Sequence, residues 1–136
     1  MKIVVLKFGG TSVGTIEKIK KVAEIIKEYK KKKFKVIVVT SAMSGVTNEL
    51  IKKSKDISKN FSSSEYDVLV SSGEQVSCSL IAGRLIHLGL KARSWLAWQI
   101  PIFTNGYYKN SRISQINKNK IIKYLKEGGI PIITGF

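Results

Sequence analysis

Lys7 is followed directly by Phe8, Gly9, Gly10, Thr11 and Ser12. A lysine beside paired glycines suits the handling of phosphate. Glycines let backbone N–H groups approach an anion with no Cβ in the way, and a helix start just downstream adds a partial positive charge. Lys7 ends an apolar β-branched run, Ile3-Val4-Val5-Leu6. The carboxyl end of a strand is where a parallel sheet collects its ligands. An ammonium there can neutralise charge on a phosphoryl group in transfer. The spacing is not that of a P-loop, because no Lys-Ser or Lys-Thr pair closes a four-residue gap after the first glycine. Taken alone, Gly9-Gly10 reads first as an ordinary strand-to-helix turn.

Two other stretches carry candidate chemistry. Thr40-Ser41-Ala42-Met43-Ser44-Gly45-Val46-Thr47-Asn48-Glu49 follows a second apolar run. Its hydroxyls and N–H groups can hydrogen-bond carboxylate or phosphate oxygens. Ser44 or Thr47 could equally just cap the next helix. The third stretch, Ser71-Ser72-Gly73-Glu74-Gln75, holds one carboxylate. Read as part of a helix's first turn, Glu74 is favoured by the dipole; it also suits a pocket that must hold an ammonium group. The single cysteine, Cys78, reads as a small hydrophobe. His87 has no second histidine to join it in a metal site and reads as structural. Trp95 and Trp98 read as core or subunit-contact residues.

The elements that must position these residues follow from periodicity. Met1 to Leu6 reads as a buried strand. From Thr15 to Lys33 the apolar positions Ile16, Ile19, Val22, Ala23, Ile26 and Tyr29 recur at helical spacing. Val36 to Val39 reads as a parallel strand buried on both faces, which completes a βαβ unit. Helical periodicity resumes at Leu50, gives way to a polar loop ending in Ser62-Ser63-Ser64, and returns from Glu65. There Val76, Leu80, Ile81, Leu85 and Leu88 are expected to line a buried helix. Short strands follow at Ala92–Ala97 and Pro101–Thr104, with Asn105-Gly106 as a hairpin turn. A helix over Asn117–Lys126, with Ile121, Ile122 and Leu125 inward, ends at Gly128-Gly129. Ile130 to Thr134 is the last strand. The pattern predicts an α/β fold, a three-layer sandwich around a mostly parallel sheet with one antiparallel hairpin, and no internal domain boundary.

At 136 residues, 43% hydrophobic and 24% charged, the chain can bury a real core and is not of disordered composition. No apolar run reaches the length that spans a bilayer and no secretory signal pattern is present, so the expected location is the cytoplasm. The lone cysteine fits a reducing compartment. A formal net charge of +15 raises the question of nucleic acid. The lysines, however, are spread along helices, and Lys30 to Lys33 fall at a predicted helix C-terminus, where cations complement the dipole. Nucleic acid is therefore not the expected partner.

Lys-Phe-Gly-Gly-Thr-Ser-Val, Val-Thr-Ser-Ala-Met-Ser-Gly-Val-Thr-Asn and Ser-Ser-Gly-Glu-Gln-Val-Ser, in that order, resemble the three N-terminal motifs of the aspartokinases, within the amino-acid kinase superfamily. The resemblance runs over essentially all 136 residues. It implies the first part of the amino-acid kinase fold, incomplete at the C-terminal side, with the nucleotide-binding half and regulatory domains absent. It implies transfer of the γ-phosphoryl of ATP to the side-chain carboxylate of L-aspartate, on the way to lysine, threonine and methionine. Magnesium would bridge the ATP phosphates, no protein residue is assigned as a metal ligand, and a homo-oligomer is expected. Carried across, Lys7 stabilises the transferred phosphoryl, and Phe8, Gly9, Gly10 and Ser41 belong to the phosphate side. Gly45, Val46, Thr47, Asn48, Glu49 and Glu74 hold the aspartate, with Glu74 facing its ammonium. The alternative from another class is a non-catalytic remnant that associates or binds anions through its positive charge. A chain of these 136 residues alone is expected to be inactive, with Ile130–Thr134 as a bare apolar edge that invites self-association.

Overall fold

A computed structural model describes residues 2–135. Met1, read above as the first residue of the opening strand, and Phe136 lie outside the described residues. Strand β1 (Ile3–Phe8), helix α1 (Ile16–Lys31) and strand β2 (Lys35–Thr40) form the expected parallel βαβ unit, with Lys7 beside Val39 in register. Thr15 caps α1, its Oγ1 accepting from the Lys18 N–H at 3.2 Å. Lys30 and Lys31 fall in its last turn, as the charge argument requires.

Helices α2 (Val46–Ile57) and α3 (Ser63–His87) follow, then β3 (Ala92–Trp95). An antiparallel pair, β4 (Ile102–Asn105) and β5 (Arg112–Ile116), makes a separate two-stranded sheet. Helix α4 (Asn119–Lys126) and β6 (Ile130–Thr134) complete the described residues. The main sheet has the order β1-β2-β6-β3, and every pairing in it is parallel.

Two hydrophobic cores make the three layers. On one face Val4, Leu6, Phe8, Val36, Val38 and Ile132 meet Ile19, Val22 and Ile26 of α1 and Ile81 and Leu85 of α3. On the other, Ile37 and Ile133 meet Trp95, Ile100, and Ile121 and Leu125 of α4. Cys78 is fully buried in the first core, in keeping with its reading as a small hydrophobe. Burial, and secondarily the charge of Glu74, pushes its thiol up to about 12 from an ordinary value of 9.0. Native protein at pH 8 is therefore expected to resist a thiol reagent that labels it promptly once unfolded; prompt labelling of the native state would contradict the burial. Because the folded value is the higher one, this group's contribution to stability is whole below pH 9 and is lost as pH rises toward 12.

Several expectations need correction. β6 is not a bare edge: it lies between β2 and β3, with Ile130, Pro131 and Ile132 buried. Ile130 N–H donates to the Lys91 carbonyl beside β3. The alternating position, Pro131, then faces β2, whose pairing begins only at Ile132, so the proline's missing N–H costs no ladder bond. The edges of the described sheet are β1 and β3; on β1 Val5 is 58% exposed, because α4 packs on β2 and β6 and leaves that face of β1 open. Helix α2 starts at Val46, not Leu50. Helix α3 starts at Ser63, so Glu74 lies near its middle and not in a first turn; the dipole does not account for it. Val76 and Leu80 are exposed, and the buried stripe runs through Val70, Gly73, Glu74, Ser77, Cys78 and Ile81. Between β4 and β5 there is no two-residue turn. The link includes a 3-10 turn at Tyr108–Asn110, with Gly106 at φ +98.

Candidate functional site

The candidate residues converge on the carboxyl edge of the main sheet. β1 ends at Phe8, and its carbonyl accepts from the Ser41 N–H at 3.0 Å. β2 ends at Thr40, and its carbonyl accepts from the Gly135 N–H at 3.0 Å, just past the end of β6. Three adjacent parallel strands are thus tied together where their loops leave the sheet, the place an open α/β sheet uses for ligands.

The glycine turn is built against the loop after β2. Ser12 N–H donates to the Gly9 carbonyl at 2.9 Å. A Cβ on Gly9 would meet nothing within 4 Å, so this backbone lies open to an approaching group. A Cβ on Gly10 would lie 2.9 Å from the Ala42 carbonyl oxygen, a backbone atom that cannot swing away. Gly10→Ala is therefore expected to push the 41–45 loop outward and to cost about 1–3 kcal/mol of stability. Urea unfolding tests this, and an unchanged midpoint would mean the loop gives freely.

Lys7 is exposed at the end of β1, and no ion pair holds its ammonium among the described residues. A second cation was missed by the sequence reading. Lys18, in the first turns of α1, reaches back to donate from Nζ to the Thr11 carbonyl at 2.9 Å. The signal for it was the run of carbonyls in the 9–12 turn, which need a donor from somewhere.

The expected helix start at the glycines is modified. Helix α1 begins well past Gly10, and Thr15 already caps it. Helices α2, α3 and α4 all start without a side-chain cap, and of these the start of α2 lies in the loop after β2. The N-cap of α2 is Gly45, at φ +85, and the first-turn Val46 N–H turns back to Met43. Thr47 and Asn48 stand in that first turn, so their backbone N–H groups offer an anion-binding end. Glu49, on the same turn, is exposed and paired with Lys53 at 2.8 Å, whose hydrogen bond and charge hold its carboxyl below the usual carboxylate value.

Helix α3 closes the other side. A Cβ on Gly73 would come within 3.1 Å of both the Ala42 Cβ and the Val46 Cγ1, so the helix passes against the start of α2. Glu74 follows at 4% exposure. A carboxylate at that depth needs polar company. The hydroxyl of Ser77, fully buried, donates to the Ser41 carbonyl at 2.7 Å. Contacts tie Gly10 and Gly73 to the 41–46 loop and Ser77 to Ser41 in one network, with Gly9, Gly45, Thr47, Asn48 and Glu74 adjoining it along the chain and Lys7 at the end of β1. In chemical terms the network offers N–H donors and a lysine ammonium on one side and a buried carboxylate on the other.

A model of the amino acid kinase family matches residues 2–136. Over its whole length the chain is 46% identical to the aspartokinase of Rickettsia felis, of which it spans 35%. The crystal structure of aspartate kinase from Synechocystis superposes on all of the chain with a TM-score of 0.83 at 36% identity, the chain covering 22% of it. Escherichia coli aspartokinase III, solved in complex with aspartate and ADP, superposes with a TM-score of 0.81 at 21% identity, again over the whole chain and 41% of that structure. The chain thus spans about a third of the length of the curated relatives it matches.

Proposed function

This chain belongs to the amino acid kinase family, and from that premise we propose that it is the acceptor and phosphate-cradle part of an aspartate kinase. The reaction is transfer of the γ-phosphoryl of ATP to the side-chain carboxylate of L-aspartate, giving 4-phospho-L-aspartate for lysine, threonine and methionine synthesis in the cytoplasm. One observation carries the reading. A buried carboxylate, Glu74, and the start of α2, which has no side-chain cap, are brought near one another by Gly73, which packs against Ala42 and Val46, in a chain 46% identical to an aspartokinase. Aspartate has an ammonium for the first and a carboxylate for the second. No described helix is long and apolar enough to cross a membrane.

The acceptor carboxylate is ionised at neutral pH, so attack needs no general base. Rate must come from alignment and from neutralising charge on the moving group. Gly9 and Gly10 present backbone donors, and Lys7 brings an ammonium to the phosphoryl in transit. Ser41 lines the phosphate side, and Thr47 and Asn48 orient the substrate carboxylate. Ammonium and N–H donors suit phosphate oxygens and give a metal no ligand. Magnesium would therefore come bound to the ATP phosphates, where it neutralises their charge. A homo-oligomer is the working assembly that the aspartate kinase reading implies.

The test is coupled ADP release by the protein at its natural length, with Mg-ATP and a panel of amino acids. Release that depends on aspartate supports the reading. Release driven equally by glutamate, or by no amino acid, would overturn it.

A further inference from the structure

Helix α3 carries four serines whose hydroxyls turn back to their own helix. Ser71 donates to Val68, Ser72 to Leu69, Ser79 to Val76, and Ser77 to Glu74 at 3.1 Å, each to the carbonyl three residues earlier. This is the usual resting bond of a helical serine. Ser77 differs from the other three in also reaching off the helix. Its Oγ lies 2.7 Å from the Ser41 carbonyl, 36 residues away in sequence and the shorter of its two bonds. The residue is fully buried, so water does not compete for that proton.

The acceptor side of this bond is as constrained as the donor side. The Ser41 carbonyl also receives the Thr40 hydroxyl at 3.2 Å, and Ser41 N–H is committed to Phe8 of β1. Gly73 packs α3 against Ala42 and Val46, the two ends of the same loop. A movement of α3 at Glu74 therefore cannot leave Ser41 in place unless the Ser77 bond breaks. One proton with two carbonyls to choose from, its own helix or the loop, gives the joint two arrangements.

Resting on the aspartate kinase reading, we propose that Ser77 is a positioning residue. It links the helix that holds the aspartate ammonium to the loop that holds the phosphate side, so that each substrate tightens the other. Ser77 touches neither substrate; it acts through Ser41 and through the helix that carries Glu74. By linkage the effect is reciprocal, nucleotide raising aspartate affinity by the factor by which aspartate raises nucleotide affinity.

The experiment is calorimetric titration of aspartate into the protein at its natural length, without and with saturating ADP, for the unmodified protein, Ser77→Ala and Val70→Ala. Val70 is buried on the same helix at 1% exposure, and its side chain has no group that hydrogen-bonds, so it controls for general loosening. In the unmodified protein ADP is expected to tighten aspartate about tenfold, within the usual range of coupling. In Ser77→Ala that ratio is expected to fall to within about twofold of one, while aspartate alone binds within about threefold of normal. Val70→Ala is expected to lower the melting temperature and keep the ratio. A ratio that survives Ser77→Ala, or one that Val70→Ala abolishes equally, overturns the role of Ser77 and leaves the kinase reading standing. A ratio of one in the unmodified protein does the same. Absence of aspartate binding by the unmodified protein overturns both.

Discussion

Lys7→Ala is expected to lower kcat by about 10²–10³-fold, the usual cost of removing one preorganised donor from a developing charge, with a far smaller change in the KM for aspartate. The strand fixes the Lys7 backbone beside Val39, in the interior register of the β1–β2 pair, so the truncation removes a charge without moving the scaffold. The side chain is exposed and free of ion pairs among the described residues, so its loss leaves no buried partner behind and little stability is at stake. Charge on the phosphoryl group changes as the bond to ADP breaks, and a group that meets this change acts on kcat more than on ground-state binding. Steady-state kinetics on the natural-length protein decide the matter. An unchanged kcat with a raised KM would make Lys7 a binding residue and not a transition-state one.

Glu74→Gln is the second large effect. The substitution keeps the shape and removes the charge assigned to the substrate ammonium. A charged hydrogen bond lost in a closed site costs on the order of 1.5–3 kcal/mol, so KM for aspartate is expected to rise about tenfold or more, with ATP affinity nearly unchanged. Glu74 is 4% exposed in the middle of α3, so some loss of stability accompanies it. The split between the substrates is therefore the informative quantity. Equal losses for aspartate and ATP would place Glu74 in the helix's support and not at the ammonium.

The sequence made some of this legible and not the rest, for physical reasons. The βαβ unit was plain because β-branched runs and a helical stripe signal their periods locally. The two loops after β1 and β2 were legible because glycines and small hydroxyls have few other uses at a strand's end. The place of β6 was not legible. It is the last strand in the chain but sits between β2 and β3, and sheet order depends on long-range packing that no local pattern records. The start of α3 was blurred by Ser62-Ser63-Ser64, which read as a loop end and in fact open the helix. That error carried Glu74 into a supposed first turn and supplied a dipole explanation the fold removes. Val76 and Leu80 read as core because α3 is apolar around much of its circumference; small residues, Gly73, Ser77, Cys78 and Ala82, take the buried side where the loop and α1 approach closely. Ser77 stood inside a recognised motif, but a serine's partner across 36 residues is a fact of the fold.

The most direct test of the central claim is to identify the atom that receives the phosphoryl group. The natural-length protein is incubated with L-aspartate, Mg-ATP and hydroxylamine, which converts an acyl phosphate to a stable hydroxamate, and the product is resolved by mass and NMR. The account predicts aspartate β-hydroxamate, formed in step with ADP and reduced about 10²–10³-fold by Lys7→Ala. ADP release with no hydroxamate, or a hydroxamate on the α-carboxylate, would contradict it.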